Sequence, residues 1–128
     1  MSPTVLIIEE NAVLRQSLCC WLKTMFPECH TIEAADGEEA NALSRVILSH
    51  VVLIDIDTLN GNSLNTVTDI QRTLPGAGVV VLSSYSPETI QMNALTGVSA
   101  WVSKWRIFTQ LKPVLTELLY HQKAEIVV

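Results

Sequence analysis

Three continuous apolar runs set the rhythm of the chain: Val5-Leu6-Ile7-Ile8, Val51-Val52-Leu53-Ile54 and Val79-Val80-Val81-Leu82. Runs of this length without polar alternation belong to strands covered on both faces, as in parallel sheets packed between helices. Two further segments, His30 to Ala34 and Ser99 to Ser103, complete a set of five expected strands. Between the strands the period changes to that of a helix. Residues 12–25 put Leu14, Leu18, Trp21, Leu22 and Met25 at helical spacing, and Pro27 closes the segment. Asp36-Gly37-Glu38-Glu39 has the form of a capped helix start, opening a helix over 37–48 with Ala40, Leu43 and Ile47 inward. A third helix is expected over 64–73, stopped by Pro75. Ser86-Pro87-Glu88 opens a fourth, which Gly97 ends. A fifth, over 107–123, carries Leu111, Leu115, Leu118 and Leu119.

Strand and helix thus alternate five times. The pattern predicts an α/β fold: a (βα)5 doubly wound, five-stranded parallel sheet of flavodoxin-like type in three α/β/α layers. In such sheets ligands bind beyond the carboxyl ends of the strands. The residues that follow each strand are therefore the candidates for chemistry.

Composition narrows the classes. The chain has 128 residues, 48% of them apolar and only 16% charged. That length suits one domain, and the apolar fraction excludes disorder. Thirteen acidic against eight basic side chains give a net charge of −5, the wrong sign for direct nucleic-acid binding or an anionic membrane surface. No apolar run approaches the length of a membrane span, and the start, Met1-Ser2-Pro3-Thr4, lacks the form of a secretion signal. Cys19, Cys20 and Cys29 have neither a disulfide pattern nor zinc spacing, so reduced thiols and a cytoplasmic setting are expected. His30, His50 and His121 show no ligand spacing.

The strand ends carry a coherent set of groups. Glu9 and Glu10 follow the first strand, Asp55 ends the third with Asp57 two residues on, Ser83 ends the fourth, and Lys104 follows the fifth. Clustered carboxylates favour a hard divalent cation such as magnesium. An ammonium and a hydroxyl beside them can hold phosphoryl oxygens, and a carboxylate can be the nucleophile that forms an aspartyl-phosphate.

With these residues in view, the chain resembles the receiver domain of bacterial two-component response regulators, from Val5 to about His121. The resemblance is carried by Val5 to Glu10, Ala35 to Ala40, Val51 to Asp55, Val80 to Ser84 and Trp101 to Lys104, in that order. It implies a signalling module, not an enzyme. Asp55 would be the phosphoacceptor, served by a sensor histidine kinase or phosphotransfer protein. Glu9 and Glu10 stand at the metal-binding acidic pair, and the backbone carbonyl of Asp57 would be a further magnesium ligand. Ser83 would be the switch hydroxyl, Lys104 the phosphate-pairing lysine and Trp101 the switch aromatic. Asp57 and Tyr85 would tune dephosphorylation.

The chain departs from the family pattern at several positions. The acidic pair is usually two aspartates, and the longer Glu9 and Glu10 are expected to weaken magnesium binding. Leu59 and Ser63 replace a usual proline and glycine. Trp105 replaces the proline after Lys104, so a trans peptide bond is expected there. An alternative reading is therefore a divergent receiver acting as a phosphorylation-independent protein-binding module. An FMN-type flavodoxin-like enzyme is disfavoured, because Glu9-Glu10-Asn11 would repel a phosphate. The resemblance places output, to a protein target or a second copy, on the fourth helix, fifth strand and fifth helix. There Trp101, Trp105, Ile107 and Phe108 either complete the core or form an exposed patch. Residues 1–128 are expected to form this single domain without an effector domain.

Overall fold

The computed structural model describes residues 2–57, 63–86 and 97–121. Its strands are β1 (Thr4–Ile8), β2 (His30–Ala34), β3 (Val51–Asp55), β4 (Gly78–Ser83) and β5 (Ala100–Ser103). Its helices are α1 (Ala12–Met25), α2 (Gly37–Ser44), α3 (Ser63–Thr73) and the C-terminal α4 (Ile107–Thr116). One 3-10 turn, Lys104–Arg106, leads into α4, and a π turn, Glu117–His121, continues it. The helix expected between Ser86 and Gly97 lies outside the described residues.

All five strands are parallel, in the order β2-β1-β3-β4-β5. The chain runs outward from β1 to β2, then returns to the other side of β1 for β3. That reversal makes the carboxyl ends of β1 and β3 the switch point where open α/β sheets form their crevice.

The apolar runs are buried because both faces of the sheet are covered. Val5, Ile7, Val51, Leu53, Val80, Leu82 and Val102 pack with Leu18 and Leu22 of α1 and Leu111 and Leu115 of α4. Leu6, Ile8, Val52, Ile54, Val79 and Val81 face the opposite way, with Ala40 of α2 and Val67 and Ile70 of α3. Alternate residues of one strand thus feed two separate cores. Local chemistry starts the helices as expected. Asp36 accepts from Glu39 N–H at 2.8 Å, and Asn11 accepts from Leu14 N–H at 3.0 Å. Gly97 has a φ of +85°, the left-handed conformation that glycine adopts without a Cβ clash.

Some boundaries differ from expectation. Helix α2 stops at Ser44, not residue 48. Ile47, expected inward, is exposed, as are Val46 and Leu48, because the helix has already ended in a turn. Helix α4 runs through Pro113, which the leucine spacing alone did not weigh. Cys19 and Cys29 are buried, Cys20 is exposed, and all three are free. Among the described residues there is no cis peptide bond, so Trp105 follows Lys104 through a trans bond. No described helix is long and apolar enough to cross a membrane.

Candidate functional site

Parallel strands bring their carboxyl ends to one rim, and the register sets which residues meet there. Ile8 pairs with Ile54, so the next residues, Glu9 and Asp55, stand level on adjacent strands. Asp55 in turn pairs with Leu82, directly before Ser83. Ser83 pairs with Ser103, directly before Lys104. Glu9 is 0% exposed and Asp55 1% exposed. Burial of carboxylates is costly unless charge and hydrogen bonds compensate.

Asp55 has both kinds of compensation. Its Oδ1 accepts from Asp57 N–H at 3.0 Å, and its Oδ2 lies 2.5 Å from Lys104 Nζ. Lys104 Nζ also lies 3.4 Å from Asp57 Oδ2. Burial by itself would lower the Lys104 pKa, but Asp55, followed by Asp57, outweighs it and holds the ammonium above its ordinary value. The lysine is therefore a fixed positive charge.

Glu9 is held at both its side chain and backbone. Its Oε1 accepts from Asn11 N–H at 2.9 Å. Its carbonyl accepts from Arg15 at 2.8 Å, while the same guanidinium pairs with Glu33 at 3.2 Å. Glu10 is placed differently. It is exposed and lines a neighbouring groove with Asp36, Asn41, Arg45 and Asp69 between α2 and α3. Of the expected acidic pair, the structure sets Glu9 level with Asp55 and puts Glu10 toward the outer groove.

Asp57 was expected for its backbone carbonyl; its side chain is also engaged. Ser83 Oγ donates to Oδ1 at 2.7 Å, and Ser84 N–H donates to Oδ2 at 2.7 Å. Burial works to raise the Asp57 pKa. The Ser83 and Ser84 hydrogen bonds and the Lys104 charge overcome it, so the carboxyl is held below its ordinary value. From Ser83 a hydrogen-bonded path leads outward. Tyr85 N–H donates to Ser83 Oγ at 3.0 Å, and Trp101 Nε1–H donates to the Tyr85 carbonyl at 3.1 Å. Trp101 is half-buried against the α2–α3 side of the core.

The four apolar groups expected near β5 divide. Trp101 and Ile107 pack against the core, whereas Trp105 is 82% and Phe108 68% exposed. Ile107 and Phe108, with Leu14 and Leu18 of α1, wall a cleft of about 250 Å³ that also reaches Asp55 and Lys104.

Among the described residues, no group of three or more His, Cys, Asp or Glu side chains is arranged to hold a metal. The buried oxygen donors at this rim that could hold a hard cation are the carboxylates of Glu9 and Asp55, on neighbouring strands, the latter also paired with Lys104. Oxygen donors in small number, with water completing the shell, are what magnesium takes.

No family model and no curated protein matches the sequence. Solved structures do match. A CheY-like response regulator receiver domain from Methanospirillum hungatei is 20% identical, with a TM-score of 0.82, covering 98% of this chain and 99% of that one. A Thermotoga maritima response regulator bound to magnesium and beryllofluoride is 21% identical, with a TM-score of 0.79, covering 91% of this chain and 99% of that one. A Burkholderia pseudomallei response regulator with a phosphorylated aspartate and a calcium ion is 18% identical, with a TM-score of 0.76, covering 98% of this chain and 71% of that one. The chain has the response regulator receiver fold.

Proposed function

We propose that the protein is a phosphoryl-accepting receiver in which Asp55 is the nucleophile. The observation that carries this is a buried carboxylate at the switch point, paired with Lys104 and level with Glu9. The donor is a phosphohistidine on a sensor kinase or phosphotransfer protein. An Asp55 oxygen attacks phosphorus, the phosphorus–nitrogen bond breaks, and its electron pair returns to the imidazole. The product is an aspartyl-phosphate. The cleft beside Asp55 and Lys104 offers apolar walls to a flat imidazole.

Lys104 neutralises charge on the transferred group, and the Ser83 hydroxyl serves one of its oxygens. Glu9 and Asp55 would hold a magnesium ion, which when bound neutralises further phosphoryl charge. Movement of Ser83 reaches the surface through Tyr85 and Trp101. Output to a target or second copy belongs to the surface of β5 and α4; the helix expected between Ser86 and Gly97 lies outside the described residues. The protein works without nucleic-acid contact, in the cytoplasm.

The test is intact-mass measurement after incubation with acetyl phosphate and magnesium. A phosphoryl adduct is expected on the unaltered chain, less on Glu9→Gln and none on Asp55→Asn. No adduct on the unaltered chain, with no response to beryllofluoride, sinks the proposal. That result would favour a phosphorylation-independent binding module, a reading supported by Asp57 already engaging Ser83 and Lys104.

A further inference from the structure

Three donors converge on the side chain of Asp57: the Ser83 hydroxyl on Oδ1, and the Ser84 N–H and the Lys104 ammonium on Oδ2. They come from the ends of two other strands, and Ser83 lies 26 residues from Asp57 in the chain. No local turn imposes the contact. Tyr85 N–H donates to the Ser83 oxygen from behind, which leaves the hydroxyl proton for Asp57. A hydroxyl, a backbone N–H and an ammonium on two oxygens of one group make an anion cradle. The anion in it is the protein's own carboxylate.

We propose that the Asp57 carboxylate is a tethered occupant of the phosphoryl cradle, and that it must release Ser83, Ser84 and Lys104 before they can hold a transferred phosphoryl group. The identity of the displacing ligand rests on the reading of Asp55 as phosphoacceptor. Lys104 Nζ lies 2.5 Å from Asp55 Oδ2 and 3.4 Å from Asp57 Oδ2, so a group on Asp55 arrives beside the donors that Asp57 holds. Two anions cannot share those donors without mutual repulsion. The resting protein therefore keeps residues 83–85 gathered around an internal anion. Phosphorylation exchanges one anion for another, and the switch responds only to the difference between them.

The test follows the Ser84 amide and orthophosphate binding in the unaltered chain, Asp57→Ala and Asp57→Asn, by NMR. The Ser84 amide is expected to be protected from solvent exchange in the unaltered chain. In Asp57→Ala it exchanges about tenfold faster or more, and orthophosphate restores its protection by filling the vacated cradle. Orthophosphate affinity is expected to rise about tenfold or more in Asp57→Ala. It rises less in Asp57→Asn, which keeps an acceptor for Ser83 but loses the charge for Lys104. If Asp57→Ala fails to fold, the near-isosteric Asp57→Asn carries the test. Equal affinity in all three proteins, no binding to any of them, or an unmoved Ser84 amide overturns the proposal. Repeating the series on an Asp55→Asn background, where no adduct can form, is expected to give the same shifts. A missing adduct then counts against the phosphoryl-accepting reading alone, and missing shifts count against the cradle.

Discussion

At the amino ends of the strands the polar contacts join backbone groups and one imidazole nitrogen. Thr4 N–H donates to His50 Nδ1 at 3.0 Å, His50 N–H donates to the Thr4 carbonyl at 2.8 Å, and Gly78 N–H donates to the His50 carbonyl at 3.0 Å. His50 thereby stitches β1, β3 and β4 together. At the carboxyl ends, by contrast, the side chains of Asp55 and Asp57 form ion pairs with Lys104, with the buried Glu9 level with Asp55. The same sheet ends once in a hydrogen-bonded seam and once in a compact ionic cluster. The seam stabilises the fold with modest hydrogen-bond terms. The ionic cluster is costly to assemble and is stable only while every partner stays, which suits a site whose charge is meant to change.

That contrast can be broken in three ways beyond the adduct and cradle tests. The largest effect on stability is expected at the ionic end. Lys104→Met leaves the Asp55 carboxylate buried without its counter-charge, and a loss of about 3 kcal/mol is expected in chemical denaturation. Unchanged stability would mean that the cluster is not held by charge. A smaller effect is expected at the seam. His50→Ala removes the acceptor of Thr4 N–H and is expected to cost about 1–2 kcal/mol while leaving adduct formation unchanged. Lost phosphorylation in that variant would show that the two ends are coupled. The smallest effect lies on α1, away from both ends. Cys19 is pushed up to about 11, by burial first and then by Glu33, and burial also raises Cys29. An alkylating reagent at mildly alkaline pH should therefore modify the exposed Cys20 first, with a stability change within about 0.5 kcal/mol. Modification of Cys19 at a similar rate would show that α1 opens readily.

Much of the fold was legible in the sequence because its signals are local. Residues 12–25 read as a helix from side-chain spacing and Pro27, and α1 spans Ala12–Met25. The run Val51 to Ile54 read as a doubly covered strand, and β3 is buried throughout. Asp36 read as a cap, and it caps α2. The end of α2 was not legible, because Ile47 keeps helical spacing while the chain has already left the helix. Membership of the rim was legible for Glu9, Asp55, Ser83 and Lys104, since parallel strands must share a carboxyl end. The placement of Glu10 was not, because two adjacent residues at a strand end diverge and one stays outside.

By itself the sequence determined which segments are strands and helices, that the strands run parallel, and which charged residues gather at one end. Those facts follow from periodicity, capping chemistry and the geometry of right-handed crossovers. Only the tertiary structure decided that β1 lies between β2 and β3, so that Glu9 comes level with Asp55. It alone decided that Trp105 and Phe108 stay outside while Ile107 packs inside. It also decided that the Asp57 carboxylate turns to Ser83, Ser84 and Lys104. Each of these depends on partners far apart in the chain, whose meeting is fixed by strand order and register and leaves no mark on the local pattern.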